Sequence, residues 1–287
     1  MTSAIEAHTK APSVLVIGSG GYVGRCIVGS APDDGARVIP TARPGSRTVP
    51  GATPLPHAAA LDELLQTEDV DQIVMLPQLT EDSVDWILDR IDGPRWLVFS
   101  SAQLGSAVGA PGTEAALARE RLAVERGAVV IRPTMIYGRG GDANISRIVR
   151  QMRRLRVPVE IGDGSALVQP VHVDDVVELV HAHRRTAARA GVYEVGGPEQ
   201  IPTHELTVMI AEVLGLRTPS LRVPESLVHR AASLAPLVRL RPDQFSRLLE
   251  DKVVDDTMTR TAFDWAPAPL AHRIEQAVGE ALAAESS

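Results

Sequence analysis

The chain has 287 residues, 44% hydrophobic and 23% charged, which suits one α/β unit with an appended lobe and a sizeable core. No apolar run reaches the ~18 residues of a spanning helix, so no membrane partner is expected, and a net charge of −7 without a long basic run speaks against a nucleic-acid partner. A single cysteine, Cys26, excludes an internal disulfide, and the absence of a secretory-type start predicts a cytoplasmic protein whose residues 1–11 form a flexible leader.

Apolar runs bounded by turn residues alternate with helix-forming stretches. Residues 14–17 read as a buried first strand, and 22–29 as the helix after it. Strands follow at 36–41, 72–76, 96–100 and 128–132, with helices at 59–65 and 114–125 between them. This alternation predicts an α/β fold, a Rossmann-type doubly wound parallel sheet with right-handed crossovers. Past Tyr137 come an arginine-rich helix at 145–155, strand-like runs at 157–161 and 168–173, a helix at 175–185 and a strand at 192–195 that ends in the turn Gly196-Gly197-Pro198. Asp174 is expected to cap the helix at 175–185 and Asp175 to favour its positive end. Residues 203–214 read as a helix opened by a threonine cap, and Pro219, Pro224, Pro236 and Pro242 interrupt the chain beyond that helix. The expected organisation is a dinucleotide-binding domain at 12–140, completed by segments near 166–196. A small, mostly helical C-terminal substrate lobe takes 141–165 and 197–287.

Between the first strand and its helix lies Gly18-Ser19-Gly20-Gly21-Tyr22-Val23-Gly24. Gly18 permits the tight turn, Gly21 lets backbone amides approach a phosphate, and Gly24 lets helix and strand pack closely. The helix N-terminus then offers unpaired N–H groups and a partial positive charge to the pyrophosphate of a dinucleotide. The end of the second strand selects the cofactor, because an acid there takes the ribose hydroxyls of NAD and an arginine takes the extra phosphate of NADP. Thr41-Ala42-Arg43-Pro44-Gly45-Ser46-Arg47 offers arginines and no acid, so NADP(H) is preferred, NAD(H) is possible, and Arg43 is the expected phosphate partner.

Together with Phe99-Ser100-Ser101, residues 131–138 (Ile-Arg-Pro-Thr-Met-Ile-Tyr-Gly), Gln169-Pro170-Val171-His172-Val173-Asp174-Asp175-Val176 and Tyr193-Glu194-Val195-Gly196-Gly197, this loop resembles the extended and atypical short-chain dehydrogenase/reductases, the family of nucleotide-sugar epimerases and dehydratases. The resemblance implies that Leu76, Pro77, Ser100, Pro133 and Thr134 flank the cofactor and that Ser101 hydrogen-bonds the reacting substrate oxygen, although a serine ending a strand equally caps the next turn. It also implies a tyrosine followed four residues later by a lysine as the proton-transfer pair. No such pair exists: Tyr22, Tyr137 and Tyr193 are followed at that spacing by Cys26, Gly141 and Gly197. Aligning the helix by Glu125 puts Leu117 and Arg121 in those places. Arg121 can still hold a ribose hydroxyl or keep a positive charge by the nicotinamide, but Leu117 moves no proton. Tyr137, Gln103 through a water, His172 or the substrate itself then remain as acids.

Gln103, Asn144 and His172 are the candidate substrate contacts, with capping the competing role for Asn144 and lobe-closing hydrogen bonds the competing role for His172. His181 and His183 are two apart on a helix and diverge, so no metal site is expected. The stretch Arg247-Leu248-Leu249-Glu250-Asp251-Lys252 resembles one found in epimerase-like proteins of polysaccharide and secondary-metabolite pathways. The reading is an NADP(H)-dependent oxidoreductase or epimerase-like enzyme for a small polar metabolite, monomeric or homodimeric. The alternatives are a cofactor-binding sensor and a non-redox biosynthetic enzyme that reuses the pocket.

Overall fold

The computed structural model describes residues 11–30, 32, 35–105, 111–216, 220–224 and 250–285. Seven parallel strands form the central sheet: β1 (Ser13–Ile17), β2 (Arg37–Ala42), β3 (Thr53–Pro54), β4 (Gln72–Met75), β5 (Trp96–Phe99), β6 (Val129–Pro133) and, from far along the chain, β11 (Gly191–Val195). The short strands β7 (Ile136–Tyr137), β8 (Val159–Ile161), β9 (Leu167–Val168) and β10 (Val171–His172) intervene, and β12 (Ile201–Pro202) and β13 (Leu221–Val223) follow. The sheet order is β11-β6-β5-β4-β1-β2-β3, and Ile17 stands beside Thr41 on one side and Met75 on the other. The chain therefore leaves β1 at a central strand end flanked by two neighbours, the crevice where doubly wound folds bind ligands.

Period-two alternation splits the sheet's apolar side chains between two cores. Val14 and Val16 face a core shared with Cys26 and Ile27 of α1 (Tyr22–Val28). Leu15 and Ile17 face the opposite core with α2 (Ala58–Thr67), α3 (Asp85–Leu88) and α4 (Thr113–Glu125). Both faces being covered explains why these strands read as unbroken apolar runs. A third core joins Ile145, Val149 and Met152 of α5 (Ile145–Leu155) to α7 (Thr203–Val213) and α9 (Leu270–Glu285). Among the described residues the remaining α-helices, α6 (Val173–Arg185) and α8 (Thr257–Phe263), pack on the α1 side of the sheet, where Phe263 and Trp265 are buried.

Several local expectations are revised. The run 168–173 is two strands, because Pro170 interrupts it and the Gln169 carbonyl is taken by Thr134. Thr203 is the first residue of α7 and not its cap; Pro202 precedes it, and the backbone amides of Thr203 and His204 bond Ala166 and Gly164 carbonyls instead. His172, not Asp174, caps α6, its Nδ1 accepting the Asp174 amide at 3.2 Å. Asp174 pairs with Arg139 at 2.7 Å and Asp175 with Arg273 at 2.8 Å. Residues 1–10, Pro219, Pro236, Pro242 and 247–249 lie outside the described residues. No helix among the described residues is long and apolar enough to cross a membrane.

Candidate functional site: the cleft over the glycine loop

A cleft of about 710 Å³ opens at the ends of β1, β2, β4 and β5. Its floor is the glycine loop. Gly18 sits at φ +90°, and the Gly21 amide bonds back to the Gly18 carbonyl at 3.1 Å, closing the turn. A Cβ on Gly24 would stand 2.6 Å from the Gly18 carbonyl oxygen and 2.7 Å from Ser19 Cα, so only glycine lets α1 start this close to β1. Gly21 caps α1 with no side-chain bond, and Tyr22, Val23 and Gly24 of the first turn line the cleft. These are the features a pyrophosphate requires.

The other loop residues divide. Gly18, Gly20, Gly21, Tyr22, Val23 and Gly24 line the cleft, whereas Ser19 is fully buried with its hydroxyl on the Thr41 carbonyl at 2.9 Å. Ser19 thus ties β1 to β2 and supports the loop from below. Tyr22 donates to the Gly138 carbonyl at 2.8 Å; burial, its largest cause, pushes its hydroxyl pKa well above the usual phenol range. Leu76, Pro77, Phe99, Ser100, Ser101, Gln103 and Pro133 form the walls. Arg43, at the mouth, donates to Glu81 at 3.0 Å and Ser83 at 3.2 Å, both from the segment after β4. The Arg47 carbonyl oxygen lies against Gly20, 1.7 Å from where a Cβ would be.

Where the proton-transfer pair was expected, the structure puts something else. The face of α4 toward the cleft carries Thr113 and Ala116, while Leu117 is half-buried, Arg121 is exposed, and neither lines the cleft. One turn beyond Ala116, Glu120 is 3% exposed and takes a hydrogen bond from Ser100 Oγ at 2.6 Å and another from Arg132 Nε at 2.9 Å. Arg132 also reaches Glu194 of β11 at 3.0 Å, and these carboxylates, Glu120 foremost, raise its pKa further. Sequence reading missed Glu120 and Glu194. The signal was an arginine inside a buried strand, which demands acidic partners on neighbouring elements.

Besides Ser19, five predicted residues do not line the cleft. Tyr137 is 1% exposed in the lobe core, edge-on to His172 at 5.1 Å, and desolvation raises its pKa above the normal range, the reverse of what an acid near neutrality needs. His172 is buried against Gly138, and burial lowers its pKa to about 4. Asn144 precedes α5 and donates to the Ile136 carbonyl at 2.8 Å; the capping work falls to Asp142, which accepts the Asn144 amide at 2.8 Å and the Ser146 amide at 3.1 Å. Arg121 is the fourth, as above. Ser101 does reach the cleft, and its Oγ accepts the Gln103 amide at 3.2 Å, so it lines the site and caps the next turn at once. Thr134, the fifth, turns its hydroxyl to the Gln169 carbonyl and, with Gln103, Met135 and Glu194, lines a second cavity of about 360 Å³ bounded by residues 250–255.

The fold and this glycine cleft define a Rossmann-type protein built as dinucleotide-binding proteins are. Residues 113–196 match the NAD dependent epimerase/dehydratase family. The chain is 30% identical over 127 residues to short-chain dehydrogenase/reductase family 42E member 1 of Bos taurus, covering 40% of this chain and 32% of that protein. It is 26% identical over 173 residues to 3beta-hydroxysteroid-dehydrogenase/decarboxylase isoform 1 of Arabidopsis thaliana, covering 52% and 39%. The alignments thus span only about a third of the length of these curated relatives. Among solved structures, dTDP-glucose 4,6-dehydratase from Bacillus anthracis, in complex with NAD, matches with a TM-score of 0.75 at 15% identity, covering 96% of this chain and 98% of that one. UDP-glucose 4-epimerase from Thermotoga maritima, with UDP-glucose, matches with a TM-score of 0.70 at 16% identity, covering 95% and 99%. In sequence over part of its length, and in fold over nearly all of it, the chain is similar to extended short-chain dehydrogenase/reductases.

Proposed function

We propose that the chain is an NADP(H)-dependent oxidoreductase or epimerase-like enzyme acting on a small polar metabolite, such as a nucleotide-linked sugar or a secondary-metabolite intermediate. The observation that carries this reading is the glycine loop, where Gly24 lets α1 start tight against β1 with no side-chain cap at its N-terminus, with Arg43 just past the end of β2 in the same cleft. The first-turn amides of α1 would hold the pyrophosphate, and Leu76, Pro77, Phe99 and Pro133 would flank the cofactor. Bound dinucleotide supplies hydride chemistry. The protein's part is to orient: Ser101 accepts the Gln103 amide and keeps its own proton for a substrate oxygen or nitrogen. Ser100 is committed to Glu120, so its proton points into the protein.

A second reading has its own support. The cleft face of α4 offers Thr113 and Ala116 and no ionisable proton donor, which suits a protein that binds the cofactor and reports on it without turnover. Calorimetric titration with NADPH and NADH tests both readings, and binding of neither overturns both. If the cofactor binds, oxidation of NADPH by carbonyl substrates, or conversion of a nucleotide sugar in the presence of NADP⁺ followed by product analysis, supports the enzyme. Ser101→Ala should then lower kcat about tenfold or more with cofactor affinity unchanged. Binding without turnover across that panel favours the sensor.

A further inference from the structure

We propose that Glu81 is a cofactor-discriminating residue: by holding Arg43 across the cleft mouth it competes with the 2′-phosphate of NADP(H) and sets how strongly NADP(H) is preferred over NAD(H). This rests on the reading of the cleft as a dinucleotide site. Arg43 leaves the end of β2, where the second ribose of a dinucleotide would lie, and Glu81 and Ser83 come from the opposite wall, the segment after β4. One guanidinium nitrogen, Nη1, contacts Glu81 Oε2 at 3.0 Å and Ser83 Oγ at 3.2 Å. Ser83 Oγ in turn donates to that same carboxylate oxygen at 3.2 Å. All three residues line the cleft.

This triad is closed in charge. Arg43 meets a carboxylate, so the mouth presents a neutral pair with hydrogen-bonding edges, suited to the two hydroxyls of an unphosphorylated ribose. A 2′-phosphate must draw Arg43 away from Glu81 and then lie near the carboxylate it displaced, and the like charges repel. The pair is half-exposed, 55% and 40% at the side chains, so the competition is a modest one that a phosphate can win. Arg43 and Glu81 therefore oppose each other in cofactor choice. An arginine at the end of β2 read alone predicts only a preference for phosphate. The acid that opposes it comes from a different strand end, nearly forty residues later in the chain.

The test is a set of dissociation constants for NADPH, NADH and, as a probe of the adenosine half alone, adenosine 2′,5′-bisphosphate, in the wild type, Glu81→Gln, Arg43→Ala and the double variant. Glu81→Gln should tighten NADPH and the bisphosphate about three- to fivefold while leaving NADH essentially unchanged. Arg43→Ala should weaken NADPH, and adding Glu81→Gln to it should recover much less than in the wild type, because the acid acts chiefly through Arg43. An unchanged NADPH to NADH ratio in Glu81→Gln, or an equal gain with and without Arg43, overturns the proposal while leaving the cofactor site intact. Failure of every ligand to bind the wild type overturns the site and the proposal together.

Discussion

At the scale of single residues, the glycines and the Glu120–Arg132 pair carry the sharpest expectations. A valine at position 24 would push its Cβ into the Gly18 carbonyl and Ser19 Cα, which are backbone atoms unable to step aside. Gly24→Val should weaken NADPH binding about a hundredfold in calorimetry, and binding within a few-fold of wild type would show that the loop does not hold phosphate. Arg132→Met removes the partner of a carboxylate that is 3% exposed, and an uncompensated buried charge costs about 3–5 kcal/mol. Urea denaturation should show a loss of that size, whereas Arg121→Met, on an exposed position of α4, should change stability by less than about 0.5 kcal/mol. The tryptophans give a reporter. Trp86 lines the cleft, while Trp96 and Trp265 are 0% and 3% exposed in the cores. Quenching of fluorescence by NADP⁺ should be largely lost in Trp86→Phe.

At the scale of elements, strands were easier to read than the caps and connections between them. Burial on both faces writes β1, β4, β5 and β6 into the sequence as apolar runs, and the arginine-rich periodicity of α5 gives both of its ends at 145 and 155. Two-residue strands such as β3, β7 and β12 have no pattern of their own; their pairing depends on partners distant in the chain. The cleft was legible wherever its residues are backbone or glycine, because the geometry there restricts residue type. The placement of Tyr137 and His172 was not legible for the opposite reason: a motif in sequence says that residues lie together, not which side of the turn they face. The packing of α6 against the sheet supplies a pH test. His183 accepts Gln72 Nε2 at 2.8 Å and contacts the Pro94 carbonyl at 2.9 Å, and burial, its largest cause, lowers its pKa to about 4 from 6.5. Between those values the unfolded chain binds a proton that the folded chain refuses. Stability from this group is therefore complete above about pH 6.5, falls as pH drops towards 4 and levels off below it. His183→Gln should flatten that acid limb in denaturation curves taken from pH 7 to 4, and an unaltered slope would exclude His183 as its source.

At the scale of the whole molecule, the question is whether the lobe and the sheet melt together. The cleft is walled by the sheet side, whereas the core of α5, α7 and α9 lies apart from it. Polar ties cross between the two: Arg273 of α9 reaches Asp175 of α6 at 2.8 Å, and Glu280 of α9 takes the amide of Arg139, whose side chain pairs with Asp174 of α6. Phe263 and Trp265 are moreover buried in the core beneath the sheet, so the chain that leads to α9 is anchored there. Opening the lobe alone would strip the partner from Asp175, a carboxylate 1% exposed whose pKa burial already raises. That cost couples the two cores, and differential scanning calorimetry should show one transition. A ligand that binds only the folded state at a hundred times its Kd stabilises by about 2.7 kcal/mol, so NADPH should raise the Tm of that single transition by roughly 4–5 °C. In Gly24→Val the same NADPH concentration, now about equal to Kd, should raise the Tm by no more than about 1 °C. Two transitions of which NADPH moves only one would mean that the Asp175 contacts do not bind lobe and sheet into one cooperative unit.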